Sequence, residues 1–202
     1  DNLQNCLNQK GITNLTQVQK KVIPEILEKK DLIFQSDTGT GKTLAYLLPL
    51  IKLYSNDQNN SIIIVSPTQE LSSQIKAEAQ SLGQKAVLFN GGSPIKRQIE
   101  QLKEKPFIIT GSCSRIYELI ILKKIKLNNL CAIVFDEADR LFSKELIEQT
   151  NKLIEKTSEN FQVQYIACSA TIKDDIKTKF NNSSKRIINF DAVIIPHEDI
   201  LT

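Results

Sequence analysis

The stretch SDTGTGKT (36–43) follows directly on the apolar run DLIFQ (31–35) and leads directly into the apolar segment LAYLLPLI (44–51). No other feature constrains the fold as much. A glycine loop between a buried strand and a helix opening on Lys-Thr is the grammar of a phosphate-binding loop. Gly39 and Gly41 let the main chain curl until successive N–H groups point into one hollow, an anion nest, to which the helix N-terminus adds its dipole. Asp37, Thr38, Gly39, Thr40 and Gly41 would then surround a nucleotide's phosphates, Lys42 would reach the β- and γ-phosphates, and the Thr43 hydroxyl would hold Mg²⁺. The strict pattern begins with glycine where this chain has Ser36, a small residue. The plainer alternative is a glycine-rich turn that only caps a helix.

Other short apolar runs recur along the chain: SIIIVS (61–66), KAVLFN (85–90), FIIT (107–110), CAIVFD (131–136), QYIACS (164–169) and RIINF (186–190). Each is nearly continuous in apolar character, which predicts strands covered on both faces. Segments of helical spacing lie between or ahead of them, among them TQVQKKVIPEILEKK (despite Pro24), QELSSQIKAEAQSL and SPIKRQIEQLKE. Strands alternating with helices predict an α/β fold with a mostly parallel sheet and helices on both faces. The linker-like stretches SNDQNN and NNSS are too short to separate domains, so 1–202 is read as a single domain. The tail VIIPHEDILT reads as a strand end running into a connector, beginning at about residue 191.

VFDEADRLF (134–142) places three carboxylates within four residues behind a buried strand. In an open α/β sheet, ligands gather outside the carboxyl ends of the strands, so Asp136 and the glycine loop are expected on one edge. Asp136 then completes a Mg²⁺ site, and Glu137 is placed to orient and deprotonate a water. Taken by itself, the stretch is equally well read as acids favourably placed in a helix first turn.

Composition narrows the classes. Lys plus Arg number 26 against 23 acids, a net charge of +3 that tolerates a polyanionic partner without demanding one. Four cysteines without CxxC spacing and a single histidine, His197, offer no zinc cluster and favour a reducing compartment. No apolar run reaches the roughly 18 residues of a membrane span and no secretory signal opens the chain, so it is read as intracellular, cytoplasmic or nuclear. The chain has no methionine, so it is read as a piece of a longer protein.

With these residues together, the sequence resembles the DEAD-box ATP-dependent RNA helicases, whose name is spelled by Asp136-Glu137-Ala138-Asp139. The resemblance runs over nearly the whole chain and implies a RecA-like NTPase domain using ATP and Mg²⁺. GITNLTQVQ (11–19), within an adenine-recognition region of residues 1–30, resembles the family's adenine-reading segment. It implies that Thr16 and the Gln19 amide read the base, although Leu15 stands where proline is usual. SPTQELSSQI resembles the first RNA-facing motif, giving Pro67, Thr68 and Gln69, the last in place of an arginine. Gly91-Gly92 match the family's glycine pair. Ser112-Cys113-Ser114-Arg115 stands where a TPGR-type motif is expected and implies RNA contact by Ser112, Ser114 and Arg115, with a plain helix cap as the alternative. Ser169-Ala170-Thr171 matches the SAT tripeptide, implying that Ser169 and Thr171 couple to Asp139.

The resemblance further implies a second RecA-like domain as partner, carrying arginine fingers. The chain alone would then bind nucleotide without unwinding RNA. A DNA-directed helicase or translocase of the same superfamily shares the loop and the Asp-Glu pair. From another class comes a non-catalytic RNA- or protein-binding module on the same fold. A small GTPase is poorly supported, because NKLI (151–154) is not the guanine-reading NKxD.

Overall fold

The computed structural model describes residues 2–37, 39–172 and 175–195. It contains a sheet of seven strands: β1 (Leu32–Gln35), β2 (Ser61–Val65), β3 (Ala86–Phe89), β4 (Ile108–Gly111), β5 (Leu130–Asp136), β6 (Gln164–Ser169) and β7 (Asp191–Val193). Their order across the sheet is β3-β4-β2-β5-β6-β1-β7, and every pairing is parallel. The predicted α/β architecture is the observed one.

Period-two alternation divides each strand between two apolar layers. Ile33, Ile63, Val65, Ile133, Phe135 and Tyr165 face one layer with the helices α6 (Cys113–Ile121), α8 (Ile147–Thr157) and α9 (Asp175–Ser183). Leu32, Phe34, Ile62, Ile64, Val134 and Ile166 face the other, against α2 (Gln17–Leu27), α3 (Lys42–Tyr54) and α4 (Gln69–Ser81). This is why the inner strands read as unbroken apolar runs: neither of their faces meets water, whereas Asp191 and Ala192 of the edge strand β7 are exposed. The remaining helices are α1 (Asn2–Gln9), which the sequence reading did not place, α5 (Ile95–Leu102) and the short α7 (Ala138–Leu141); a 3₁₀ turn spans Leu127–Asn129. No helix among the described residues is long and apolar enough to cross a membrane.

One predicted strand is displaced. RIINF (186–190) is irregular, and the seventh strand forms just beyond it. Side chains of α9 take up its main-chain groups: Asn181 accepts from the Ile188 N–H at 2.7 Å and donates to the Ile188 carbonyl at 3.1 Å, while Lys177 donates to the Phe190 carbonyl at 2.9 Å. Phe190 meanwhile packs with Phe180, which meets Phe135 edge-on at 4.9 Å. Asp191 then donates its N–H to the Asp31 carbonyl and the ladder with β1 begins. The segment predicted as connector therefore opens with a strand; residues 196–202, including His197, lie outside the described residues.

Candidate nucleotide and nucleic-acid site

Strand register brings the candidate residues to one edge. Gln35 pairs with Ser169 and Asp136 with Cys168, so β1, β5 and β6 end side by side. The loop after β1 has Gly39 at φ 81° and Gly41 at φ 82°, left-handed values that glycine adopts freely. Ser36, which replaces the expected glycine, hydrogen-bonds the Thr40 hydroxyl, and Thr40 donates to the Asp37 carbonyl at 2.7 Å. The departure from the strict pattern thus supplies an internal brace. Thr38 lies outside the described residues.

Lys42 opens α3 and places Nζ 3.0 Å from Oδ1 of Asp136. The carboxylate is completely buried and the lysine side chain 14% exposed. Burial, the largest single effect, disfavours the ammonium, but the charge and contact of Asp136 together with Cys168 and Glu137 outweigh it and hold the Lys42 pKa above its ordinary value. Tyr46, one helical turn on, donates to Oδ2 of Asp136 at 2.8 Å. Burial first, and the Asp136 charge second, push the Tyr46 phenol well above its usual range, so it remains a donor. Oδ1 has the lysine in ion-pair contact but no directed hydrogen bond, which leaves this buried oxygen a lone pair to offer. Glu137 follows at φ 52°, ψ 53°, a left-handed conformation rare outside glycine, and its Oε2 accepts from Arg140 at 2.8 Å. Gly39, Gly41, Lys42, Thr43, Thr68, Glu137 and Arg140 line a common cleft of about 500 Å³.

Gln19 is 3% exposed, and both ends of its amide are engaged. Oε1 accepts from the Thr16 N–H at 2.9 Å, closing a capping box at the start of α2, and Nε2 donates to the Gly41 carbonyl at 3.2 Å. The amide expected to read a base also joins its helix cap to the phosphate loop. Asp139 and the Ser169–Thr171 tripeptide sit on neighbouring elements, but Ser169 donates to the Thr171 carbonyl at 2.7 Å; among the described residues no hydrogen bond joins Asp139 to the tripeptide.

The remaining candidates occupy the same edge, beyond β2, β3 and β4. Thr68 caps α4, accepting from the Leu71 N–H at 3.2 Å, with Pro67 before it and Gln69 exposed after it. Gly91 and Gly92 form an exposed turn, the Gly92 N–H donating to the Asn90 side chain. Ser112 caps α6 and Ser114 is exposed, whereas Cys113 is buried in the core, where Thr150 donates toward its sulfur at 3.8 Å. Arg115 turns inward: its guanidinium donates to the Ser93 carbonyl and to Gln98, each at 2.9 Å, and pairs with Glu118. Gly111, just ahead, has φ 153°, and a Cβ there would lie 1.9 Å from the Phe89 carbonyl oxygen.

A family profile described as DEAD/DEAH box helicase matches residues 16–178. The chain belongs to the DEAD/DEAH box helicase family. It is 39% identical over 174 residues to the DEAD-box ATP-dependent RNA helicase CshC of Bacillus cereus, covering 84% of this chain and 45% of the relative. Its fold matches the crystal structure of a DEAD box protein from Methanococcus jannaschii, with TM-score 0.85, 30% identity, and coverage of 97% of this chain and 54% of that one. It also matches the DEAD-box helicase Mss116 bound to ssRNA and UDP-BeF, at TM-score 0.84 and 25% identity, covering 96% and 42%. The chain thus spans about half, or less, of the length of the proteins it resembles.

Within this DEAD/DEAH box chain, sequence reading did not single out Tyr46 or Arg140. Both were detectable by helical spacing, Tyr46 at i+4 from Lys42 and Arg140 at i+3 from Glu137. No group of three or more His, Cys, Asp or Glu able to hold a metal occurs among the described residues. The buried Asp136 carboxylate, with one oxygen lacking a hydrogen bond, lies behind Lys42, which lines the cleft together with Thr43; such an oxygen and hydroxyl would suit a Mg²⁺ that takes most of its ligands from water and phosphate.

Proposed function

We propose that this chain is the nucleotide-binding half of an ATP-dependent RNA helicase, coupling ATP hydrolysis to RNA binding and duplex remodelling. The observation that carries this reading is the Lys42–Asp136 pair at the mouth of a glycine loop. Without ligand, the lysine charge is balanced by the carboxylate. When phosphates enter the nest, they compete for Lys42 and release Asp136. Thr43 and Asp136 would then hold Mg²⁺, which supplies positive charge to the phosphates.

Residues Asp37 to Gly41 cradle the phosphates through main-chain N–H groups, while Thr16 and Gln19 face the base side of the loop. Glu137 takes the proton of an attacking water; Arg140 holds one of its oxygens and fixes its direction. Ser169 and Thr171 come into contact with Asp139 when nucleotide and RNA are both bound. Pro67, Thr68, Gln69, Gly91, Gly92, Ser112 and Ser114 meet the RNA backbone through small groups and main-chain amides. Arg115 acts there chiefly by bracing the Ser93 loop. Charge on the transferring phosphoryl group needs further cations, which a second RecA-like domain would bring.

The reading is tested by joining the chain to such a domain and measuring ATP hydrolysis with duplex RNA and duplex DNA. Stimulation by RNA, lost in Glu137→Gln while nucleotide binding persists, is the expected result. Equal turnover by Glu137→Gln would remove the general base, stimulation by DNA alone would make the enzyme DNA-directed, and no nucleotide binding at all would leave a binding module.

A further inference from the structure

The edge of the sheet opposite the glycine loop carries a feature that nucleotide chemistry does not use. Two grooves of about 440 and 580 Å³ meet there, sharing Lys123, Ile125, Lys126 and Asn129. They run past the N-terminal ends of β2, β4 and β5, between the end of α5 and the loop after α6. Lys103, Lys105, Lys123, Lys124, Lys126 and Lys156 line them, and no aspartate or glutamate does. Lys103 is paired with Glu100 and Lys156 with Glu159. Lys105 donates only to the neutral Asn59 side chain, at 3.2 Å. Among the described residues, no carboxylate pairs with Lys105, Lys123, Lys124 or Lys126.

Like charges converging in a concavity raise the local potential and cost folding energy unless an anion arrives. The floor is apolar, with Ile99, Ile109 and Ile125, and the half-exposed Ile121 and Leu122 lie just before the lysine loop. Asparagine and glutamine amides from both ends of the groove add neutral donors and acceptors. Phosphates spaced along a strand match lysines spread over two lobes, while sugar hydroxyls and base faces match amides and apolar floor. On the other edge, Gln69 is neutral, and the Arg115 guanidinium is spent on Ser93, Gln98 and Glu118.

We propose that this lysine groove is a second, nucleotide-independent binding site for an RNA strand, anchoring it on the side of the sheet away from ATP. The proposal goes beyond the reading above and rests on it only in naming RNA as the polyanion. Fluorescence anisotropy of a labelled single-stranded RNA of mixed sequence, with and without ATP–Mg²⁺ and from 50 to 200 mM salt, tests it on the chain as described. The variants are a quadruple Lys→Gln substitution at 105, 123, 124 and 126 and its quadruple Lys→Arg counterpart.

Each lysine contact to a single strand contributes about 0.7 to the salt slope, so wild-type affinity without nucleotide should fall about fifty-fold over this range and the Lys→Gln variant should lose a slope of about three. Lys→Arg should restore both affinity and slope. Thermal melting establishes that the Lys→Gln variant is folded. The proposal is overturned if that folded variant binds RNA with wild-type affinity and slope without nucleotide. It is equally overturned if wild type shows no nucleotide-free RNA binding, or if a polyglutamate peptide binds in a lysine-dependent way while RNA does not. Loss of any ATP effect on RNA, with the lysine-dependent binding intact, would count against the helicase reading alone.

Discussion

The side-chain amide of Gln19 donates to the main-chain carbonyl of Gly41 at 3.2 Å, while its oxygen accepts from the Thr16 N–H. One buried side chain therefore sets both the start of α2 and the last turn of the phosphate loop. Glycine suits position 41: φ is 82°, a left-handed value strained for other residues, and a Cβ there would lie 2.5 Å from Gln19 Nε2 and displace the amide. Losing this amide should thus disturb phosphate binding, whatever contact it makes with a base.

Gln19→Ala should destabilise the chain by about 1–3 kcal/mol, the cost of leaving buried partners unsatisfied. ATP affinity should fall by about tenfold or more, and ADP affinity with it, because the loop itself loosens. Thermal melting and nucleotide titration measure the two effects. If ATP weakens and the melting temperature stays fixed, Gln19 reads the base only and the brace carries no energy.

Tyr46→Phe removes the donor to Oδ2 of Asp136 without changing shape. With a fully buried charged partner, the loss should cost about 1.5–3 kcal/mol of stability, read by chemical denaturation. It should also weaken Mg²⁺-dependent nucleotide binding more than binding in excess chelator, because Asp136 is the affected group. Equal weakening under both conditions would place Tyr46 outside the metal's surroundings.

The four cysteines, all free, should separate by burial. Burial raises the Cys113 thiol to about 12, so it stays protonated and unreactive through neutral pH and ionises only in strong alkali. Burial likewise pushes the Cys168 thiol well above its ordinary range, with the neighbouring Asp136 charge adding to it. A thiol-specific chromophore at pH 8 should modify Cys6 readily and Cys131 slowly, since partial burial raises the latter's pKa. Cys113 and Cys168 should react only after unfolding. Rapid modification of Cys113 in the native chain would mean that its helix is open to solvent.

The sheet was legible because both faces are covered, so each buried strand announced itself as an apolar run. RIINF misled for the same reason: Ile188 and Phe190 are apolar because they fill the core, and the groups that satisfy their backbone come from Asn181 and Lys177 on α9, beyond the reach of a local pattern. The glycine loop and Asp136 were legible from spacing. The inward turn of Arg115 was not, since it depends on where the Ser93 loop and Gln98 happen to lie. Gln19 was singled out in the sequence, but its double engagement needs the position of Gly41, which only the assembled sheet fixes.

The most direct measurement is a calorimetric titration of ATP, with Mg²⁺ and then with excess chelator, onto the wild-type chain and onto Lys42→Ala. The account predicts saturable binding to wild type that weakens when Mg²⁺ is withdrawn, and none to a Lys42→Ala chain whose melting shows it folded. Equal ATP affinity in wild type and folded Lys42→Ala, indifferent to Mg²⁺, would contradict it.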